Sequence, residues 1–331
     1  MNKVCIVGAG AIGGFIGTRL AAAGQVEVSA IAIGDTLTAL KEHGWRLQMA
    51  DGMVRAPAKV SDKASDLGPQ DLVIIAVKGP VLAQVAPAIQ PLLGPETVVL
   101  PTMNGVPWWF VESVPSLRGT NLRALDSQGV IARHIGFDRV VGAVVHASAS
   151  SPERGLVMHQ MGRGLIVGEP GGGHSARAAR IAEILQQAGF DATHSERIRH
   201  DIWFKLWGNL TMNPVSAVTG ATIDRVLADP LVRAFCSAAM REAAEVGERI
   251  GCPISQSPDD RHGLTAKLGA FKTSMLQDAM AGRPIELDAI VGAVQELGDR
   301  LGLKTPNIDA LLGVSRLFAR VHGLYPEEVA L

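Results

Sequence analysis

Apolar positions in the first half of the chain fall in short runs separated by stretches with helical spacing. KVCIVG, VEVSAIAI, DLVIIAVK, TVVLPTMNG and VVGAVVHAS read as strands, and residues 11–23 read as the first helix. That rhythm predicts an α/β fold with a parallel, doubly wound sheet. In WRLQMADGMVRAPA, Asp51-Gly52 separates two alternating runs and predicts a hairpin. A second hairpin is expected to join LVMHQ to LIVGE through residues 161–164. EPGGGHS has the composition of a linker, but a helical pattern over 176–188 and a short strand over 190–194 follow it and continue the rhythm. The boundary therefore falls near Glu196. Beyond it the segments starting at Ile198, Pro230, Gly263, Pro284 and Thr305 all show helical spacing. The expectation is an α/β domain over 1–196 and an all-helical domain over 197–331.

One helical segment is unusual. In FKLWGNLTMNPVSAVTG, Lys205, Asn209 and Asn213 recur at i, i+4 and i+8, a spacing that stacks them on one face. Trp203, Leu206, Trp207 and Leu210 cover the other faces, so the helix is apolar nearly all round and expected to be buried. Burying an ammonium and two amides is costly unless each has a partner, which predicts that they face a polar cleft. Pro214 lacks an N–H and would free a carbonyl near Leu210.

Glu286 is the second anomaly. In GRPIELDAIVGAVQELGDRLG, Pro284 suits a first helical turn, and Ile290, Val294, Leu297 and Leu301 form the apolar stripe on which Glu286 also falls. An acid on a core-facing stripe calls for a cation, and Lys205 is the obvious one. A structural ion pair, or a first-turn acid favouring the helix dipole, would account for it equally simply.

Bulk properties narrow the functional classes. A chain of 331 residues has the length of two domains, and its 47% apolar content supplies both cores. Thirty-one basic residues against 32 acidic ones, with no basic stripe, argue against a nucleic-acid or anionic-membrane partner. Cys5, Cys236 and Cys252 are odd in number and widely spaced, which fits neither a disulfide framework nor a zinc pattern. A reducing cytoplasm is the simplest compartment. No apolar run reaches the roughly 18 residues that a bilayer span requires.

VGAGAIGG places Gly8, Gly10 and Gly13 in G-x-G-x-x-G spacing between the first strand and the first helix. In that context the motif is a dinucleotide fingerprint, and Gly8, Ala9, Gly10, Ala11, Ile12 and Gly13 become the candidate cofactor loop of a Rossmann-type domain. Asp35, beyond the tip of the second strand, either holds a ribose hydroxyl or caps a helix from Thr36, the commoner role. Two further candidates end strands at the edge where ligands sit in this fold, Lys78 in AVKG and Asn104 in MNG. Each also has a plain reading, as a surface lysine and as an Asn-Gly turn. Beside a bound nicotinamide, the Lys205 ammonium could protonate the oxygen of a carbonyl being reduced, with Asn209 orienting it and Glu286 keeping it charged.

VGAGAIGG, AVK, MNG, WFKLWGNLTMNPVSAVTG and SMLQDAMAGRPIELDAIVG, spread over essentially the whole chain, resemble the ketopantoate reductases (2-dehydropantoate 2-reductases). The resemblance implies a cytoplasmic enzyme of pantothenate biosynthesis that reduces ketopantoate to D-pantoate with NADP(H). It implies Lys205 as proton donor, Asn209 and Asn213 as substrate-binding amides, and Ser274, twelve residues before Glu286, as a substrate-binding serine. Glu286 would stand beside the lysine and the nicotinamide end, Asn104 would bridge cofactor and substrate, and Lys78 would sit in the cofactor cleft. The active site would lie between the two domains, and a homodimer is compatible with the resemblance.

Two positions depart from the family pattern. Ile33-Gly34 stands where an Arg-Gly pair usually binds the NADPH 2′-phosphate, which weakens the preference for NADPH and admits NAD(H). PWWF follows Asn104-Gly105, so Trp108 and Trp109 either pack the loop, possess a dimer contact, or line the pocket for a bulkier 2-oxo acid. The alternatives are therefore an NADH-dependent reductase of a branched or aromatic 2-oxo acid and, from another class, a dinucleotide sensor without turnover. A sensor would have no use for Lys205, Asn209 and Glu286.

Overall fold

The computed structural model describes residues 1–326 of the 331. Two compact units are present. The first comprises Met1–Met103, Pro107–Gly119 and Gln128–Asp201; the second comprises Asn104–Val106, Thr120–Ser127 and the described chain from Ile202.

In the first unit β1 (Lys3–Val7), α1 (Ala11–Ala23), β2 (Glu27–Ile31) and α2 (Gly34–His43) precede the hairpin of β3 (Trp45–Met49) and β4 (Gly52–Ala56). The hairpin pairs Trp45 with Ala56 and Met49 with Gly52, as the Asp-Gly signal requires. β5 (Lys59–Ser61), β6 (Gln70–Ile75), α3 (Leu82–Ala88) and β7 (Leu93–Pro101) complete an all-parallel sheet in the order β5-β2-β1-β6-β7. Val4, Ile6, Leu72 and Ile74 are completely buried, which explains why these strands read as unbroken apolar runs.

The sheet does not continue into the later strands. After α4 (Arg123–Asp126), which belongs to the second unit, and α5 (Val130–His134) come β8 (Gly142–Glu153), β9 (Leu156–Gly168), α6 (Ala176–Gln187) and β10 (Asp191–His194). These strands form, with the β3-β4 hairpin, a second, mixed sheet in the order β10-β9-β3-β4, with β8 antiparallel to β9. The hairpin expected at 161–164 is absent, because Leu156–Gly168 is one strand and the turn lies before it, at Gly155 with φ +71°. Gly162, with φ +73°, sits where the β8-β9 register shifts, so a glycine bulge inside a strand imitates the punctuation of a turn.

α1 packs at unusually short range. An ideal Cβ on Gly14 would stand 2.6 Å from Val157 Cγ2, and one on Gly17 would stand 2.5 Å from Trp45 Cη2. The small face of this helix therefore lets β3 and β9 approach its backbone, and it leaves Trp45 only 1% exposed.

The second unit is helical, with α7 (Ile198–Thr219) entering it after Asp201, then α8 (Ile223–Ala228), α9 (Pro230–Arg249), α10 (Pro258–Ala266), α11 (Ser274–Met280), α12 (Ala293–Arg300) and α13 (Pro306–Val321). α7 is buried as its composition demands: Trp203 and Trp207 are each 1% exposed, and Trp207 Nε1 donates to the Met240 carbonyl at 2.7 Å. It runs unbroken through Pro214. Two helix starts are capped from afar by carboxylates: Glu242 accepts from the Asn307 and Ile308 amides of α13, and Glu296 from the Arg123 and Ala124 amides of α4. Among the described residues no helix is long and apolar enough to cross a membrane.

The helix expected from Pro284 starts later. Residues 283–286 are non-helical, Leu287 begins the helix, and a π-helical turn, Asp288–Gly292, leads into α12. Glu286 is thus on a non-helical segment rather than on the apolar stripe of a first turn. The Ile285 amide is bonded to the Leu324 carbonyl at 3.1 Å, so this segment is held by the chain after α13 instead of by its own helix.

Candidate active site

Lys205 is half-buried on α7, and its Nζ donates to Asn104 Oδ1 at 2.8 Å. The two residues are 101 positions apart, and both belong to the second unit. Asn104 reaches this position through its neighbours. Gly105 adopts φ +85°, a conformation that glycine tolerates best, and the Val106 amide donates to the Ala289 carbonyl at 2.8 Å. An ideal Cβ on Gly105 would stand 2.3 Å from that same carbonyl oxygen. Ala289 lies in the π turn, where the widened hydrogen-bonding pattern leaves a carbonyl available outside the helix. A local irregularity in one element thereby fixes the Asn-Gly turn of another. Gly105→Ala is expected to destabilise the chain by about 1–3 kcal/mol, read by denaturant unfolding, and to weaken the Lys205-Asn104 contact with it.

Burial pulls the Lys205 ammonium down to about 8, and the negative charge of Glu286 opposes that pull. A lysine in this state is still mainly protonated at neutral pH but gives up its proton far more readily than one in water. Asn209 and Asn213 follow on the same face of α7, Asn209 half-buried and Asn213 only 5% exposed. Lys205, Asn104 and Glu286 are thus brought together, while Asn209 and Asn213 continue the polar face. Ser274 is the first residue of α11 and is exposed; the helix is capped by Thr273, whose Oγ1 accepts from the Leu276 amide at 3.1 Å.

The glycine loop lies between β1 and α1. Gly8 takes φ +93°, and an ideal Cβ on Gly13 would stand 2.0 Å from the Gly8 carbonyl oxygen, so both glycines are required by the protein itself. Gly10 is different: it is the N-cap of α1, and nothing lies within 4 Å of the position its Cβ would take. A glycine that the fold does not need, at a helix N-terminus with unused backbone N–H groups, fits the close approach of a pyrophosphate. Ala9 is buried, and Ala11 and Ile12 are half-buried in the first turn of α1. Lys78 is half-buried just past β6.

Two other expectations change. Asp35 is not a helix cap: α2 starts at Gly34, Ile33 holds the N-cap position, and Asp35 is an exposed acid in the first turn. Ile33 itself is 74% exposed, an apolar side chain in water at the tip of β2. Trp108 and Trp109 are 6% and 2% exposed and pack within the first unit, Trp109 lying so close to Gly142 that an ideal Cβ there would meet its ring at 2.8 Å. Both rings are core, which removes the aromatic lining from the argument for a bulkier substrate. The π turn and the Ala289 carbonyl had no sequence signal beyond the Asn-Gly dipeptide that they hold.

A parallel sheet with a fingerprint loop between β1 and α1, joined to a helical unit with a desolvated lysine, defines a dinucleotide-dependent oxidoreductase. The family model described as Ketopantoate reductase PanE/ApbA matches residues 4–172, and its C-terminal counterpart matches residues 197–319. The chain is 42% identical over 324 residues to the 2-dehydropantoate 2-reductase of Mesorhizobium japonicum, covering 98% of this chain and 99% of that one. The crystal structure of a candidate ketopantoate reductase from Ralstonia solanacearum superposes with a TM-score of 0.94 at 51% identity, covering 98% of this chain and 100% of the other. D-mandelate dehydrogenase, solved with NADH and anilino(oxo)acetate, shares the fold at a TM-score of 0.83 and 22% identity, over 97% of this chain and 99% of its own. This chain belongs to the ketopantoate reductase family and is an oxidoreductase.

Proposed function

We propose that the chain reduces ketopantoate to D-pantoate with a reduced nicotinamide dinucleotide, Lys205 supplying the proton. The observation that carries this reading is the Lys205-Asn104 bond beside the Glu286 charge, on a chain of this family. When bound, the dinucleotide supplies a hydride to the carbonyl carbon of the 2-oxo acid. The Lys205 ammonium donates a hydrogen bond to the carbonyl oxygen, stabilises the charge that develops there, and passes its proton to the alkoxide. Asn104 occupies one of the three ammonium donors and thereby aims the others. Glu286 keeps the amine protonated against burial. Asn104, Asn209, Asn213 and Ser274 hold the substrate's polar groups. Gly8, Ala9, Gly10, Ala11, Ile12 and Gly13 cradle the pyrophosphate, and Lys78 and Asn104 complete the dinucleotide contacts.

The choice of dinucleotide turns on Ile33. An exposed isoleucine offers a 2′-phosphate neither charge nor donor, so we assign weak discrimination between NADPH and NADH. Initial rates with each cofactor against ketopantoate and a panel of branched and aromatic 2-oxo acids test both readings. Ketopantoate is expected to have the highest kcat/KM, with the two cofactors within about tenfold of one another. Ile33→Arg is expected to raise kcat/KM for NADPH by about tenfold or more, leaving NADH little changed. A strong preference for an aromatic acid would overturn the substrate assignment. A strong preference of the unaltered protein for NADPH would show that another group binds the phosphate.

A further inference from the structure

Arg261 is a cation that the proposed reaction has not used. It lies on α10, and its guanidinium carbon stands 4.9 Å from the centroid of the Phe204 ring. An ideal Cβ on Gly208 would come within 2.5 Å of its Nη2 and 2.6 Å of its Nε, so the slot it occupies exists because residue 208 has no side chain. Phe204 and Gly208 belong to the site helix: Phe204 is the neighbour of Lys205, and Gly208 that of Asn209. The guanidinium is therefore seated on the flank of the Lys205-Asn209 face.

Its electrostatic situation is peculiar. Half-buried arginines elsewhere in the chain have an acceptor or an acid: Arg177 pairs with Glu169 at 2.7 Å, Arg46 with Glu153 at 3.1 Å, and Arg19 donates to the carbonyls of Ala188 and Gly189. Arg199, Arg316 and Arg320 share with Arg261 a buried Nε without a hydrogen-bond partner, but Arg199 donates through Nη1 to the Ser113 carbonyl, and the charges of Arg316 and Arg320 act on Asp288. Among the described residues no acid or carbonyl accepts from Arg261, and its buried Nε is left without a hydrogen-bond partner. Burial lowers its pKa from the ordinary value with no acid opposing the shift. Holding a guanidinium partly desolvated and unpaired costs free energy unless an anion completes it. The substrate is such an anion. The other residues assigned to it are amides and a hydroxyl, and Lys205 is committed to the carbonyl oxygen, so the carboxylate has no cationic partner among them.

We propose that Arg261 binds the carboxylate of the 2-oxo acid substrate, its planar fork donating to both carboxylate oxygens at once and Phe204 and Gly208 fixing its orientation. This inference rests on the reading of Lys205 as the reaction centre. The test is Arg261→Gln, with Arg261→Lys as its conservative partner, and fold retention checked by thermal unfolding. The expected result is a rise in KM for the keto acid of about tenfold to a hundredfold that exceeds the fall in kcat, with partial recovery in Arg261→Lys. A merely structural arginine would not distinguish ligand charges, so the affinities for D-pantoate and for its neutral lactone are compared by titration. Arg261→Gln is expected to lose affinity for the acid and to keep it for the lactone. Equal losses for the two ligands, or an unchanged KM for the acid, would overturn the proposal. If Arg261→Gln misfolds, Arg261→Met carries the same comparison, since it removes the charge while keeping an apolar stem of similar length against Phe204. Should Lys205→Ala abolish turnover while the Arg261 variants leave acid binding intact, only this inference fails; should Lys205→Ala leave turnover intact, the underlying reading fails as well.

Discussion

Lys205→Ala is expected to lower kcat for keto-acid reduction by roughly 10²- to 10⁴-fold, the usual contribution of a positioned general acid. Dinucleotide affinity should change little, because the loop assigned to it is formed by other residues. The pH dependence carries the same information in the unaltered enzyme. With its ammonium at about 8, Lys205 is charged below that pH and loses its proton above it, so the reduction rate should fall as pH rises through about 8. Glu286 raises the lysine's pKa against burial; Glu286→Gln removes that support, and the alkaline fall is expected at lower pH. Steady-state rates from acid to alkaline pH for the three proteins check both statements. Turnover of Lys205→Ala within tenfold of the parent would mean that the proton comes from another group, and an unmoved alkaline limb in Glu286→Gln would mean that Glu286 does not act on the amine.

The same substitution at two glycines of one loop should give opposite results. Gly13→Ala places a methyl group 2.0 Å from the Gly8 carbonyl oxygen, a backbone atom that cannot swing away, so α1 must shift from the loop. A loss of about 1–3 kcal/mol is expected, with a lowered Tm even without ligand. Gly10→Ala meets nothing within 4 Å and has φ −77°, which alanine adopts without strain. Its Tm should be unchanged, while the dinucleotide Kd rises at least about tenfold, because the added methyl stands where the pyrophosphate has to approach the backbone. Thermal unfolding with and without cofactor, together with fluorescence titration, separates the two. Unaltered dinucleotide binding in Gly10→Ala would show that the phosphates do not pass that atom.

The amino-acid sequence by itself determined the features that depend on neighbours along the chain. Helix α1 over Ala11–Ala23, the β3-β4 hairpin and the alignment of Lys205, Asn209 and Asn213 on one face follow from local periodicity and turn chemistry, which a few consecutive residues carry. The resemblance likewise rested on contiguous motifs. Tertiary structure decided what distant segments do to one another. Gly162 reads as a turn until β8 pairs across it and turns it into a bulge. Glu286 reads as a helical residue until the Leu324 carbonyl claims the Ile285 amide and the helix starts after it. Trp108 and Trp109 read as candidates for the pocket until packing within the first unit buries both rings. The decisive contact, Lys205 with Asn104, joins residues 101 apart and depends on a π-turn carbonyl that no local pattern announces. Periodicity sets which side chains share a face, but which carbonyl is left over to accept a distant amide is settled only when the backbone hydrogen bonds of the whole unit are distributed.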